Sequence, residues 1–320
     1  LYSFGSNDLL TFNNNTNGVI NKIGNGTYTL GSNHSSSGLT FYNAGTLNVD
    51  SGTLTLSGSG VDSGSIAIAS GSTLDLVGGS RTIDASNLSG TGDLTITNTQ
   101  FTLNGPTGST TTLDPKITLN SGTLSTSGSL ALSAPFVQAN GTLGGAGSID
   151  LLVSGNTWQD GEWTGGGSIN VLNGADFNVS GSQAKYWNGR TLNINTGATA
   201  SFSGSQNASY LSAVNTINND GIIDLFSDTG TNALYSTSTN YSLTFNNTAN
   251  GVINKTGDGT YVLGDTNASG LTFTNAGALN VNTGTLTLSG TGVDNGTLAI
   301  ASSSTLDLVG GSRTIDASNL

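Results

Sequence analysis

The chain has 320 residues, 48 of them glycine and 3 proline, with charged residues at 8% and hydrophobic ones at 34%. Ordinary globular domains carry about 25% charged residues and about 7% glycine, so one thick core is a poor fit and many thin ordered units a better one. The net charge of −12 argues against nucleic acid or an anionic lipid surface as partner, the lack of Cys excludes disulfides and thiolate metal sites, and no apolar run nears the ~20 residues of a membrane span.

The chain opens LYSFGSND, without an initiating Met or a secretory leader, as an excerpt or a processed product would. The polar stretch SNHSSSG at 32–38 reads as an exposed turn and holds His34, the only histidine. Apolar residues then fall in pairs spaced by one: Leu47/Val49, Leu54/Leu56, Ile66/Ile68, Leu74/Leu76, Leu94/Ile96, Phe101/Leu103, Ile117/Leu119 and Leu130/Leu132. Alternation of this kind puts i and i+2 on one face of a strand. Between the pairs come SG, SGSG, GG or NTG, which tolerate the positive φ of tight corners. Equivalent pairs recur about every 19 to 21 residues, most clearly from Leu54 to Leu74 to Leu94.

Scattered glycine costs a helix close to 1 kcal/mol per interior position, and no 3.6-residue stripe exists. The runs are also short for the hairpins of a sandwich. The spacing predicts an all-β fold, one right-handed parallel β-helix over 1–320, each coil contributing two or three short strands. At a rise of about 4.8 Å per coil, about sixteen coils make a rod on the order of 75 Å long.

A longer repeat overlies this rhythm. GTLNVDSGTLTLSGSG at 45–60 returns as GALNVNTGTLTLSGTG at 277–292, and LVGGSRTIDASNL at 76–88 recurs at 308–320. Residues 1–233 form one long sequence unit and 234–320 the start of a second copy. Both ends fall inside the pattern, so a longer parent array is expected. The copies differ by one deletion, where SNHSSSG (32–38) becomes DTNASG (265–270), and a length change belongs in a turn away from the core.

The segments GTLNVDSGTLTLSGSG (45–60), GSIAIASGSTLDLVGG (64–79) and NTINNDGIIDL (215–225) resemble the repeats of filamentous-haemagglutinin-type and autotransporter-passenger proteins of bacteria. The resemblance covers most of the chain and rests on pattern and composition. It implies an exported, extracellular or cell-surface protein serving as a structural or adhesive rod. Its implied partners are copies of itself, end to end or side by side, and surface glycans or receptors of host or neighbouring cells.

Groups suited to catalysis are sparse, and no catalytic residue, cofactor or metal is expected. Glu162 is the sole glutamate; with Asp160 in WQDGEW it offers two carboxylates on one strand face, the one arrangement a glycosidase could use. Arg81 and Arg313 recur in SRTIDASN, each near an Asp (Asp84, Asp316), as a structural corner pair would. Asp50, Asp62, Asp75 and Asp294 read as turn residues; neither an EF-hand loop nor a calcium-binding nonapeptide occurs. Outward residues Asn48, Thr55, Ala67, Asp75 and Thr95 make no threonine ladder, against an ice-binding face.

The main departure from the repeat is aromatic: Trp158, Trp163, Tyr186 and Trp187. Exposed rings there would form a carbohydrate-stacking platform, the alternative binding-module reading. Buried rings would instead fill a wider coil or cover a bend.

Overall fold

The computed structural model describes residues 9–31, 38–203, 208–211, 213–236, 242–264, 270–316 and 318. The fold is all-β, with parallel sheets stacked as a β-solenoid of about 12 turns. The coils group into two compact units, Leu1–Ile149 and Asp150–Leu320. That boundary is separate from the start of the second sequence copy at 234.

In the first unit every full coil has three strands, one per face. The first face stacks Leu9–Asn14, Gly38–Asn43, Gly60–Asp62, Ser80–Asp84, Thr99–Asn104, Gly122–Ser127 and Thr142–Gly145, all parallel. The second stacks Val19–Lys22, Thr46–Val49, Ser65–Ile68 and Leu88–Ser89, whereas Thr110–Leu113 and Ser129–Leu132 pair in a different sheet. The third runs Thr27–Leu30, Thr53–Ser57, Thr73–Val77, Asp93–Thr97, Lys116–Leu119 and Phe136–Gln138. A 3-10 turn, Ala85–Asn87, shortens one coil's second strand to two residues.

The second unit repeats this plan. One face begins at Asn156–Trp158 and ends at Thr297–Ile300, another begins at Gly161–Thr164 and ends at Thr305–Val309, and the third begins at Ser168–Val171 and ends at Arg313–Ile315. All its pairings are parallel and in register.

The period-two reading of the core holds. All eight predicted pairs are buried, and Leu54, Leu74 and Leu94 are register mates, as are Leu56, Leu76 and Ile96. Burying each such side chain contributes about 1.5–3 kcal/mol. Asn48, Thr55, Ala67, Asp75 and Thr95 lie on the outward side, half-exposed.

Coil length is less uniform than expected, which is why there are about 12 turns and not sixteen. Tyr28 to Leu54 is a step of 26 residues, Leu54 to Leu74 of 20, and Ile117 to Phe136 of 19. In the second unit Ile223 to Ile253 spans 30. Pairing constrains the strands, so the extra residues go into corners, where no ladder bond is lost. The turn at 32–37, with His34, and its shortened copy at 265–269 lie outside the described residues.

Corner geometry explains one glycine pair. Gly78 and Gly79 both adopt φ of +66°, and Gly310 and Gly311 take φ of +67° and +63° at the same place in the second copy. Two successive left-handed residues are strained for any side chain, and they turn the chain into the strand that carries Arg81 or Arg313.

Candidate functional site: an aromatic core and ordered polar ladders

Trp158, Trp163 and Trp187 are wholly buried in the second unit. The strand Gly161–Thr164 pairs with Lys185–Asn188, and this register sets Trp163 over Trp187. Trp158 and Trp163 stack at 4.1 Å with 11° between planes; Trp187 meets Trp163 edge-on at 5.2 Å. Phe177 flanks Trp163 at 5.6 Å. The indole N–H groups are satisfied inside: Trp158 Nε1 donates to Asp160 O at 3.0 Å and Trp187 Nε1 to Arg190 O at 2.6 Å.

A stacking platform needs an open ring face, and these three indoles have none. Of the four aromatic residues picked out from the sequence, Tyr186 alone is exposed, at 48%. It is outward on its strand, with Glu162 as its register mate one coil below. Asp160 does not share that face: it precedes the strand, and its Oδ1 accepts the Gly161 N–H at 2.6 Å. The two carboxylates are therefore divided between a corner and an outward strand position.

The same region buries two cations. Lys185 is fully buried; its Nζ donates to Gln183 O at 3.1 Å. Burial pulls its pKa down to about 8, with Asp160 opposing. Arg190 is likewise inside, and burial lowers it to about 10. The register mate of Lys185 one coil below is Gly161, which leaves the space a long side chain needs.

The same device recurs around Arg81. Its register mate one coil below is Gly60, and the guanidinium lies over that glycine, 5.6 Å from the Phe41 ring centroid. A Cβ on Gly60 would press on the Phe41 carbonyl and come within 3.0 Å of both Arg81 Nη atoms. Arg81 Nη1 pairs with Asp62 Oδ2 at 2.6 Å, both side chains buried. Burial raises the Asp62 pKa, with Arg81 pulling the other way. In the second copy Arg313 pairs with Asp294 at 2.9 Å over Gly292, 5.3 Å from the Phe273 ring.

The predicted neighbours Asp84 and Asp316 are not the arginines' partners, because positions three apart along a strand face opposite ways: Arg81 is buried and Asp84 exposed. Asp84 instead accepts from Asn104 on the outer face. Asp62 and Asp294, read from sequence as turn residues, are the buried counter-ions.

Asparagines form two kinds of ladder. Inside, Asn14 donates to Asn43 at 2.8 Å; in the second unit Asn219 donates to Asn247 and Asn247 to Asn275 at 2.7 and 2.8 Å. The next residues in these columns are Asp62 and Asp294, so the arginine pairs close both ladders. Outside, Asn170 donates to Asp150, Asn193 to Asn170, Asn218 to Asn193 and Asn246 to Asn218. Lys22 and Lys255 repeat a third motif: each ammonium donates to three corner carbonyls, Ile23, Gly24 and Ser51 in one copy and Thr256, Gly257 and Thr283 in the other.

What these groups do chemically is hold coils together. Nearly every named polar side chain bonds to a neighbouring coil or to its own corner. Among the described residues no group of three or more His, Cys, Asp or Glu is placed to hold a metal ion. No protein-family description, curated protein or solved structure matches the chain.

Proposed function

We propose that the chain is a structural and adhesive rod segment of a long bacterial extracellular or cell-surface protein that assembles into filaments, in which stacked coils supply stiff length and a hydrated surface. One observation carries this reading: among the described residues, the inward lysines and arginines that both copies share are engaged in coil-to-coil and corner contacts, in both copies alike. Lys22 and Lys255, and the Arg81 and Arg313 pairs, occupy equivalent places, as repeated joints do and a unique active site does not. The extracellular and adhesive parts rest on the repeat resemblance, the low charge and the lack of Cys. The filament part rests on the strand edges that any stacked coil presents.

The test is electron microscopy of the purified chain with immunolabelling of the cells that make it. Straight thin particles and label on the cell surface are expected. Compact round particles, or label confined inside the cell, overturn the proposal.

A second reading, glycan binding, is favoured by Tyr186, which is 48% exposed and has Glu162 as its register mate. Glycan-array signal abolished by Tyr186→Ala and unchanged in Tyr42→Ala supports it; no signal, or equal loss in both variants, removes it.

A further inference from the structure

One outer face of the second unit carries polar groups that the coil contacts use only in part. The strands Asn156–Trp158, Asp176–Val179, Thr199–Phe202, Ile222–Phe226, Val252–Thr256 and Ala278–Val281 stack in one sheet. Their register lines up Thr157, Asn178, Ser201, Asp224, Asn254 and Asn280 on the outward side, all half-exposed. Asn280 donates to Asn254 and Asn254 to Asp224, both at 2.9 Å, and Ser203 donates to Asn178 at 3.1 Å. Among the described residues, these bonds leave the Asn178 amide N–H groups, the Ser201 hydroxyl, Asp224 Oδ2 and one N–H of Asn254 without a partner in the chain. Those four residues lie on successive coils, about 4.8 Å apart.

Phe226 interrupts this polar surface. It is the one exposed phenylalanine among the described residues, at 40%, and it lies outward on the strand that carries Asp224. A lone exposed apolar side chain is ordinary, but Phe226 lines an open trough of about 580 Å³ together with Asn178, Ser201, Asp224 and Asn254. A second trough of about 560 Å³ shares Asn178 and Ser201 and runs on over Thr157, Asp176 and Thr199. The two form one groove along the coil axis.

We infer that this groove binds a linear, uncharged polysaccharide laid along the axis, with one sugar ring against Phe226. The C–H face of a pyranose matches an aromatic ring, and its hydroxyls both donate and accept, as the amide, hydroxyl and carboxylate groups require. Side chains already held by one bond lose little freedom in making a second, so the groove is pre-organised. Asp176 and Asp224 are the charged residues of its lining, and they repel an acidic glycan. Tyr186 belongs to a different sheet, so the groove does not depend on it. The inference deepens the adhesive part of the proposed function and rests on that part for its biological use.

The test is an array of neutral oligosaccharides and their uronic-acid counterparts, probed with the whole chain and its variants. Signal is expected on neutral linear glycans and not on the acidic ones. It should fall at least about tenfold in Phe226→Ala and in Asp224→Ala, persist in Phe226→Tyr, and be unchanged in Tyr186→Ala. Ser201→Trp, which fills the groove without removing a partner of another side chain, should give the same loss. All these positions are outward, and matched thermal unfolding checks that each variant is folded. No signal, signal on acidic glycans alone, or equal signal in the parent, Phe226→Ala and Ser201→Trp overturns the inference. Loss in Tyr186→Ala with Phe226→Ala unaffected also overturns it, while leaving the second reading in place. The rod itself is tested separately by the micrographs and the surface label.

Discussion

Arg81 and Asp62, 19 residues apart, meet at 2.6 Å inside the first unit, one coil above the other. Gly60 makes this possible by leaving its inward position empty, and Arg313, Asp294 and Gly292 repeat the arrangement. Breaking a buried pair leaves an uncompensated charge, a cost of about 3–5 kcal/mol, whereas replacing both partners with apolar groups is often neutral. Asp62→Ala is therefore expected to lower urea-unfolding stability by about 3–5 kcal/mol, and Asp62→Leu/Arg81→Met to recover most of it. Equal losses in the two variants would contradict a role limited to satisfying the guanidinium.

Gly60 itself gives a sharper expectation. A methyl group there meets a backbone carbonyl and the guanidinium together, with nowhere to yield. Gly60→Ala should cost about 1–3 kcal/mol by overpacking. Gly71→Ala, at a corner with open space around it but φ of +76°, should cost about 1 kcal/mol from backbone strain alone. Thermal unfolding of the two variants checks the order.

The inner and outer asparagine ladders should respond differently. Asn247→Ala removes a donor and an acceptor from a buried column, leaving Asn219 and Asn275 unmatched at about 1–3 kcal/mol for each group. Asn193→Ala breaks the outer ladder, where water replaces the lost partners, and should stay within about 0.5 kcal/mol of the parent. Chemical denaturation of both variants provides the comparison.

This contrast also shows what the sequence made legible. Period two identified the inward faces from Leu54/Leu56 and its relatives, and those faces are the core. It could not distinguish Asn43 or Asn247 from exposed corner residues, because an inward asparagine is satisfied by side chains and backbone carbonyls of neighbouring coils, which the local sequence does not show. The arginine partner was sought beside Arg81 at Asp84, when the relevant neighbour lay one coil back at Asp62. An inward glycine one coil before an inward cation was the available signal, seen at Gly60/Arg81, Gly292/Arg313 and Gly161/Lys185. The aromatic segment stood out clearly, but burial of its indoles depends on the register of Trp163 with Trp187, and composition does not report register.

Lys185 gives a pH expectation. Its folded pKa is about 8 against an ordinary 10.5. Between those values the unfolded chain binds more protons than the folded one, so stability rises with pH through this window. The destabilising charge is fully present below pH 8 and relieved as the ammonium deprotonates. Tryptophan-monitored urea midpoints should therefore rise between pH 7.5 and 10 in the parent relative to Lys185→Met. Parallel profiles in the two proteins would contradict the buried-ammonium reading.

The stacking of successive coils, parallel and in register, underlies every other conclusion. Thr55 and Asp75 are register mates on the outward side of adjacent coils, and Thr95 is the next in the same column. Neighbouring strands lie about 4.8 Å apart, inside the Cα range of about 4.4–6.8 Å that a disulfide bridges, while two coils put residues about 9.6 Å apart. The chain has no Cys to interfere. On mild oxidation, Thr55→Cys/Asp75→Cys should form an intramolecular disulfide in the folded protein and Thr55→Cys/Thr95→Cys should not. Bridging in the second variant and not the first would contradict the solenoid and the scaffold built from it.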